Sequence, residues 1–213
     1  MNDISDKALS EIKKMGFNHI WFTGLIEHAT CTDYSKQGIT NDHPSVVKGV
    51  AGSPYAIKDY YDIAPDLAEK VEVRMQEFES LIARTHSNNL KAIIDFVPNH
   101  LARQYHSDAK PSGIKDFGED DDPGQAFLPS NNFYYIPDRG LLVPESTNNH
   151  LDPGKPYIES PARATGNDVF THQPSINDWY ETVKLNYGLD YLNERKEHFD
   201  PIPNTWIKMK EIL

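Results

Sequence analysis

The sequence predicts an α/β protein in which two parallel strands flank a helix and a long irregular segment follows. Residues 17–25 and 90–97 are short apolar runs, and residues 66–82 between them repeat apolar side chains at helical spacing. A strand, a helix and a second strand in this order form a right-handed βαβ unit. Eleven of the fifteen prolines lie between residues 101 and 203, where the periodicity fades, so we expect no regular layers there.

An N-terminal helix is predicted over about residues 5–15. Asp3 or Ser5 supplies the N-cap, and Gly16 stands where a glycine commonly follows the end of a helix. Between these signals the apolar residues fall on one helical face: Ile4, Ala8, Leu9, Ile12 and Met15.

The first strand is predicted within residues 17–25, which are rich in aromatic and β-branched side chains. Asp66 followed by Glu69 resembles a capping box and places the start of the second helix near residue 66. Residues 90–97 are almost continuously apolar, which is typical of a parallel strand covered on both faces. The helix carries its apolar residues at i, i+4, i+7 and i+11: Val71, Met75, Phe78 and Ile82.

The segment 101–203 is too long for an ordinary connection. Structureless connections beyond about 12–15 residues are uncommon in compact domains unless they form functional loops or lids, so a substrate-contacting insertion is expected. Asn204 is a candidate N-cap for a last helix, with Trp206, Met209 and Leu213 at i, i+3 and i+7. We therefore divide the chain into residues 1–100, 101–203 and 204–213.

Composition excludes several classes of partner. With 21 Lys and Arg against 32 Asp and Glu, the net charge of −11 repels phosphodiester backbones and anionic lipids, so we expect no nucleic acid and no membrane partner. Residues 1–10 lack the basic start and apolar run of a signal peptide, which indicates a soluble chain of unassigned compartment. Cys31 is the only cysteine, which rules out an internal disulfide. A neutral sugar would tolerate the acidity.

Polar side chains occur at the end of the second predicted strand. Asp95 lies in the apolar run, and Asn99 and His100 follow it. Burying an ionised carboxylate is costly unless it is satisfied, so Asp95 should be anchored by backbone amides, an arginine or a ligand. Ligands meet the C-terminal ends of parallel strands, which makes Asn99 and His100 candidate ligand contacts. A structural acid followed by a simple turn is the alternative, and spacing alone does not decide between them.

The stretch from Asp95 to His100 resembles the first signature region of the alpha-amylase family of glycoside hydrolases, where a strand ends with Asp, three residues and Asn-His. Residues 53–63 (Ser-Pro-Tyr-Ala-Ile-Lys-Asp-Tyr-Tyr-Asp-Ile) are similar to the family's segment with Tyr, three residues and Asp-Tyr. Residues 12–22 look like its passage into the second strand. The resemblance covers residues 1–100 firmly. It implies part of a TIM (β/α)8 barrel, namely the second and third parallel strands with their helices, followed by an inserted domain and the start of the next barrel helix.

The resemblance also implies roles for individual residues. Tyr55 would stack its ring on the sugar just before the scissile bond, and His100 would donate hydrogen bonds to the hydroxyls of that sugar. Aromatic faces suit the apolar C–H surface of pyranose rings. Asp59 and Asp95 would support the site, and Asn99 would offer its carbonyl to a structural calcium in members that have one. A packing tyrosine is the alternative for Tyr55.

A second segment weighs against calcium. The family's segment at the end of the inserted domain reads Pro-Asp-Leu-Asn, whereas its counterpart here is Lys184-Leu185-Asn186. A lysine ammonium cannot ligate calcium and repels it. A rival match at residues 173–177 (Gln-Pro-Ser-Ile-Asn) also lacks the acid. No cofactor is therefore assigned with certainty, and calcium at Asn99 stays an open alternative.

The catalytic carboxylates of the family have no counterpart in residues 1–213. Retaining glycosidases use two carboxyl groups about 5–5.5 Å apart, and in this family the nucleophile lies in a Gly-x-Arg-x-Asp segment on the fourth strand, which does not occur here. We assign no catalytic residue and expect the chain alone to be inactive. The parent would act on alpha-glucosidic oligo- or polysaccharide. The alternatives are a non-catalytic relative that binds carbohydrate or protein, and an unrelated α/β fold.

Two further expectations concern surfaces. Aromatic side chains at the edge of a cleft can hold a glucan chain, which makes Trp179 a candidate sugar contact, with loop packing as its alternative. A fragment with two strands has unpaired edges and exposed apolar faces. We therefore expect self-association, or completion of the fold by other parts of the parent protein.

Overall fold

The computed structural model describes residues 1–145, 148, 151 and 154–213. Helix α1 covers Asp6–Lys14, as predicted. Ser5 is its N-cap, because its hydroxyl accepts a hydrogen bond from the amide of Ala8 at 3.4 Å. Gly16 follows the helix with a φ of +96°, a conformation that glycine adopts without strain.

The predicted strand, helix and strand are all present. Strand β1 (His19–Phe22) pairs in parallel with the later strand β4 (Lys91–Ile94), which confirms the predicted orientation. Helix α2 (Arg74–Ser87) lies between them in the chain. Its Leu81 is fully buried and packs with Phe22 at the end of β1, so the apolar stripe of the helix covers one side of the parallel pair.

The capping box predicted at Asp66 and Glu69 is wrong, because α2 begins only at Arg74. Asp66 instead accepts a hydrogen bond from the hydroxyl of Tyr34 at 2.6 Å. The carboxylate of Glu77, inside the first turn of α2, accepts from the backbone amide of Glu69 at 2.9 Å. A helical acid thus reaches back to the segment before the helix, as the acid of a capping box does, but without a capping side chain at Val73.

An antiparallel pair of strands, joined by a long connection, lies between β1 and α2. Strand β2 (Ile26–His28) pairs with β3 (Ile57–Ile63), with register shifts along the pair. Strand β3 is almost entirely buried and carries the segment that resembles the alpha-amylase motif. Short 3₁₀ turns flank these elements: Ser35–Gln37, Pro44–Val46, Pro65–Leu67 and Val71–Val73.

The segment expected to be irregular contains short antiparallel strand pairs. Within the described part of the chain, β5 (His100–Ala102) pairs with β8 (Thr182–Lys184), which ties the start of this segment to its far end. The other pairs join two-residue strands: β6 (Tyr135–Ile136) with β7 (Ala162–Arg163), and β9 (Leu189–Asp190) with β10 (Lys196–Glu197). The absence of sequence periodicity therefore reflects short strands rather than absent structure.

One apolar cluster joins all three parts of the chain. It packs Ile57 of β3 against Leu101 of β5, Val183 of β8 and Met209 of the last helix. That helix, α3, covers Asn204–Ile212, so Asn204 is its first residue rather than its N-cap. The side-chain amide of Asn204 donates to the carbonyl of Ser130 at 2.7 Å instead.

The parallel pair is not covered on both faces within this chain. Trp21 of β1 is 65% exposed, and Ile93 and Ile94 of β4 are 47% and 43% exposed. The expectation that residues 90–97 form a strand buried on both sides is therefore wrong for the chain by itself. None of the described helices combines the length and the apolar character that crossing a membrane requires.

Candidate functional site

A cavity of about 410 Å³ lies where the loop before β3, the start of β5 and the residues leading into β8 meet. It brings together Tyr55, His100 and Trp179, which the sequence predicted as sugar contacts, whereas Asn99 does not line it. The full lining is Lys48, Ser53, Tyr55, His100, Trp179, Glu181 and Thr182.

Tyr55 is presented by a tight turn. Its amide donates to the hydroxyl of Ser53 at 3.3 Å, and its side chain is 48% exposed. Gly52 just before this turn has a φ of +73°, and a Cβ there would lie 1.7 Å from the carbonyl oxygen of Ala29. Only glycine fits this close approach, so the turn places the aromatic ring at the mouth of the cavity.

His100 is buried in the wall of the cavity. The side-chain amide of Asn99 lies 3.0 Å from its Nδ1, and its imidazole also bonds the backbone of Tyr55. The ring of Trp179 lies 5.1 Å away between centroids, tilted by 58°. Burial lowers the pKa of His100 to about 4, and the nearby charge of Lys184 acts in the same direction. The imidazole is therefore neutral at pH 7, and its Nδ1 accepts from Asn99.

Gly166 makes room for His100. A Cβ at this position would lie 2.8 Å from the Cβ of His100 and 2.5 Å from Oγ1 of Thr182. The carbonyl of Gly166 accepts from the side-chain amide of Asn99 at 2.9 Å. The backbone of the inserted segment thus approaches β5 closely and fixes the Asn99 amide that faces the imidazole.

The side-chain oxygen of Asn99 is occupied by a cation from the protein itself. The ammonium of Lys184 lies 3.2 Å from Asn99 Oδ1 and 2.6 Å from Oδ1 of Asp168. It also lies 5.6 Å from the centre of the Tyr191 ring. Calcium requires several oxygen ligands free of competing cations. The residues around Asn99 do not fit a calcium ion, because the lysine holds the oxygen that would bind it.

Asp59 is fully buried and does not line the cavity. Its carboxylate accepts from the amides of Tyr61 at 2.7 Å and Ala109 at 3.2 Å, so it ties β3 to the inserted segment. Burial raises the pKa of Asp59, although these amides oppose the shift. The structure therefore places Asp59 among structural contacts rather than on the wall of the cavity.

Two more acids lie beside Asp59. One oxygen each of Glu27, Asp59 and Asp62 falls within 4.8 Å of the others. Asp62 is held by the guanidinium of Arg74, with Nε at 2.9 Å. Burial raises the pKa of Glu27 to about 8, although Lys58 opposes the shift. Glu27 thus carries a proton at pH 7, and both carboxylate oxygens of Asp62 already accept from the guanidinium of Arg74.

Asp95 directly follows β4 and is half-buried. Its backbone amide donates to the carbonyl of Phe22 at 3.0 Å. Within the ranges that the structure describes, no hydrogen bond or ion pair involves its carboxylate. Among the described residues the carboxylate of Asp95 therefore has neither the backbone amide nor the arginine that was expected to anchor it, and Asp95 does not line the cavity.

Sequence reasoning missed Lys48 and Glu181 in the cavity wall. Their chain positions are far apart, and neither lies in a motif. Glu181 immediately precedes β8, and its carbonyl accepts from the amide of Arg103 after β5. The β5–β8 pairing brings it to the same cavity as His100, and that pairing has no local sequence signal.

Comparisons with known proteins agree with the family resemblance seen in the sequence. The alpha-amylase catalytic domain family matches residues 1–136. Maltase 1 of Drosophila virilis is 37% identical over 90 residues, covering 38% of this chain and 13% of the maltase. The 1,4-alpha-glucan branching enzyme GlgB 2 of Clostridium perfringens (strain 13 / Type A) is 24% identical over 179 residues, or 74% of this chain and 23% of the enzyme. The amino acid transporter heavy chain SLC3A1 of Rattus norvegicus is 31% identical over 80 residues, covering 38% of this chain and 10% of the heavy chain.

The family match extends over more than half of the chain. The chain therefore belongs to the alpha-amylase family of glycoside hydrolases, by its match to the catalytic domain, and it carries part of a TIM barrel. It spans less than a quarter of the length of each of these three relatives.

Proposed function

We propose that this chain supplies sugar contacts to an alpha-amylase-family glycoside hydrolase that acts on alpha-glucosidic oligo- or polysaccharide. The observation that carries the proposal is the shared cavity of Tyr55 and His100. Tyr55 stacks on a pyranose ring, and Trp179 offers a second aromatic surface. His100 is neutral at pH 7, and its hydrogen bond to a sugar hydroxyl would replace the bond that its imidazole makes to the Tyr55 backbone.

The finer architecture belongs to the same proposal. Strands β1 and β4 correspond to the second and third barrel strands, residues 101–203 to an inserted domain, and α3 to the start of the next barrel helix. The parallel pairing of β1 with β4 supports the first assignment. The return of the inserted segment to β5 through β8 supports the second.

The parent enzyme would follow a retaining route, with its two carboxylates outside this chain. Among the acids described above, Glu27 and Asp62 are engaged in the buried cluster, and Asp59 is held by backbone amides. We give none of them a catalytic role. The chain by itself binds saccharide and does not cleave it.

We also propose that the site works without calcium. The contact between Lys184 and Asn99 supports this, because the ammonium supplies the positive charge that a metal would bring. The lysine thereby connects the inserted segment to the end of the barrel strand.

The decisive experiment is isothermal titration of the chain with maltotriose, alongside a hydrolysis assay of the same sample. We expect binding that is lost in Tyr55→Ala and retained in Tyr61→Ala, a matched tyrosine on β3 that lies outside the cavity. No release of reducing sugar should follow. Absent binding would refute the sugar-contact role, and measurable hydrolysis would refute the inactivity.

A second candidate is a non-catalytic family member that binds carbohydrate or protein. The similarity to a protein named as an amino acid transporter heavy chain favours it, because family membership then does not imply an enzyme. The gene sequence beyond codon 213 separates the two candidates. An Arg-x-Asp segment at the next strand supports the enzyme, and its absence supports the binding module.

A further inference from the structure

Glu181 has a feature that the proposed roles of Tyr55 and His100 do not use. Its side chain lines the cavity and is only 5% exposed. Its Oε2 is buried and has no hydrogen-bond partner among the described residues. Lys48 lies 3.5 Å from this oxygen, which is an ion-pair distance without hydrogen-bond geometry. A buried acceptor left open is costly, so the carboxylate suits a ligand that donates hydrogen bonds.

Lys48 is held in place beside this carboxylate. Its ammonium donates to the backbone carbonyl of Asp178 at 3.1 Å and lies 5.3 Å from the centre of the Tyr180 ring. An ammonium has three donors, and the carbonyl takes one of them. Lys48 therefore fixes Glu181 by charge and keeps donors for a molecule in the cavity.

The pair lies next to two aromatic surfaces. Tyr55 and Trp179 line the same cavity and are 48% and 43% exposed. Neighbouring hydroxyls on a pyranose ring can both donate to one carboxylate, and either can accept from an ammonium. A ring stacked on an aromatic face would direct its hydroxyls sideways, toward Glu181 and Lys48.

We propose that Glu181, positioned by Lys48, is a specificity-determining residue that recognises two adjacent free hydroxyls of the bound sugar ring. The inference rests on the proposed saccharide function and adds the chemical group that the site selects. A site built around a hydroxyl rejects the analogue that lacks it, because its own polar group is then left unpaired. The site thus selects unsubstituted rings over deoxygenated ones.

The test is calorimetric titration of the full 213-residue chain with maltotriose and with maltotrioses deoxygenated at one position at a time. For the unaltered chain, loss of either of two adjacent hydroxyls should weaken Kd about 10- to 100-fold, the range for hydrogen bonds to a charged group. Glu181→Gln should weaken maltotriose binding by a similar factor and no longer discriminate at those two positions. Glu197→Gln, which changes an exposed carboxylate on β10, is the matched control.

The outcomes separate this inference from the proposed function. If no saccharide binds the unaltered chain, both fail. If maltotriose binds the unaltered chain, two results would overturn only the specificity role of Glu181. Either Glu181→Gln binds maltotriose with a Kd within twofold of that of the unaltered chain, or its binding keeps the same sensitivity to deoxygenation. Circular dichroism and a thermal melt establish folding of each variant. Lys48→Met, at a partly exposed loop position, provides the same test if Glu181→Gln does not fold, with the same loss of discrimination expected.

Discussion

The ammonium of Lys184 lies 3.2 Å from the side-chain oxygen of Asn99, and the β5–β8 ladder explains why. In that ladder His100 is the register partner of Lys184, so the lysine faces the strand end that carries the signature residues. Its second contact, to Asp168 at 2.6 Å, connects the strand end to the inserted segment. The ammonium of Lys184 therefore lies where the strand end at Asn99 meets the inserted segment.

Calcium should not affect the stability of this chain. Millimolar calcium or EDTA should leave the melting temperature unchanged, because Lys184 occupies the oxygen of Asn99. Lys184→Met should lower the free energy of unfolding by about 1–3 kcal/mol, the range for losing hydrogen bonds to a charged group, as measured by urea unfolding. Lys115→Met, which removes an exposed ion pair with Asp120, should have little effect. A melting temperature that rises with calcium would contradict the prediction.

Gly166→Ala should disturb the cavity without touching its ligand. The new methyl group would meet the Cβ of His100 at 2.8 Å, so the strand end must shift. We expect a loss of about 1–3 kcal/mol in stability, as for other overpacked cores, and weaker maltotriose binding by titration. Gly140→Ala is the control, because its Cβ would meet only one atom, at 3.7 Å. Equal binding by both variants would show that the position of His100 in the cavity does not depend on the absence of a side chain at Gly166.

Local signals predicted the local elements. The cap at Ser5 and the glycine at 16 define α1 by contacts within a few residues. Two apolar runs gave the parallel pair, because strand propensity and the βαβ rule need no distant information. The shared cavity of Tyr55 and His100 was expected only through the family resemblance.

Strand pairings between residues far apart in the chain left no local signal in the sequence. Strands of two or three residues, such as β5 and β8, are too short for a period, and their hydrogen bonds join residues far apart in the chain. The same pairing brings Glu181 into the cavity that His100 lines, which explains why the carboxylate was missed. The start of α2 was misplaced because Asp66 bonds Tyr34, a tertiary contact that overrides the local capping pattern.

The inserted segment depends on a buried ionic group. Glu159 lies 2.6 Å from Arg103 and 2.8 Å from Arg163. Glu159→Gln leaves two buried guanidinium groups with a neutral partner and should cost about 3–5 kcal/mol, the range for breaking a buried pair. Chemical unfolding measures the change. Asp120→Asn, in an exposed pair, should produce no resolvable change, and equal stability of the two variants would refute the structural role of Glu159.

The carboxylate of Glu159 also makes the stability of the chain depend on pH. Burial alone would raise the pKa of Glu159, but Arg163 and Arg103 outweigh it and lower the pKa to about 2 from an ordinary 4.5. A lowered pKa stabilises the fold above pH 4.5, and this contribution is lost as the pH falls from 4.5 toward 2. Unfolding curves for the unaltered chain and Glu159→Gln should therefore converge as the pH falls through this window. Parallel curves would contradict the assigned charge.

Glu27 should have the opposite pH dependence. Burial raises its pKa to about 8 from 4.5, with Asp59 and Asp62 acting in the same direction and Lys58 and Arg74 opposing. A raised pKa means that the folded chain binds the proton more tightly, so stability falls as the pH rises from 4.5 to 8. Glu27→Gln keeps a neutral side chain and should remove this decline. Melting temperatures across the window measure it, and an unchanged slope in the variant would disprove it.

The exposed faces of the parallel pair should cause self-association. Trp21 of β1 and Ile93 of β4 are register partners and lie side by side, 65% and 47% exposed. Burying such a patch against a second copy removes apolar surface from water. Sedimentation velocity should therefore show species larger than the monomer, and Trp21→Lys or Ile93→Lys should shift the distribution toward the monomer by placing a charge in the contact.

The matched control for this surface is Ile158→Lys. Ile158 is 83% exposed in the inserted segment and belongs to neither strand, so the same substitution should leave the distribution of species unchanged. A sharp monomer in the unaltered chain would rule out self-association. An equal shift with Ile158→Lys would place the contact elsewhere, because added positive charge would then act independently of the strand face that carries it.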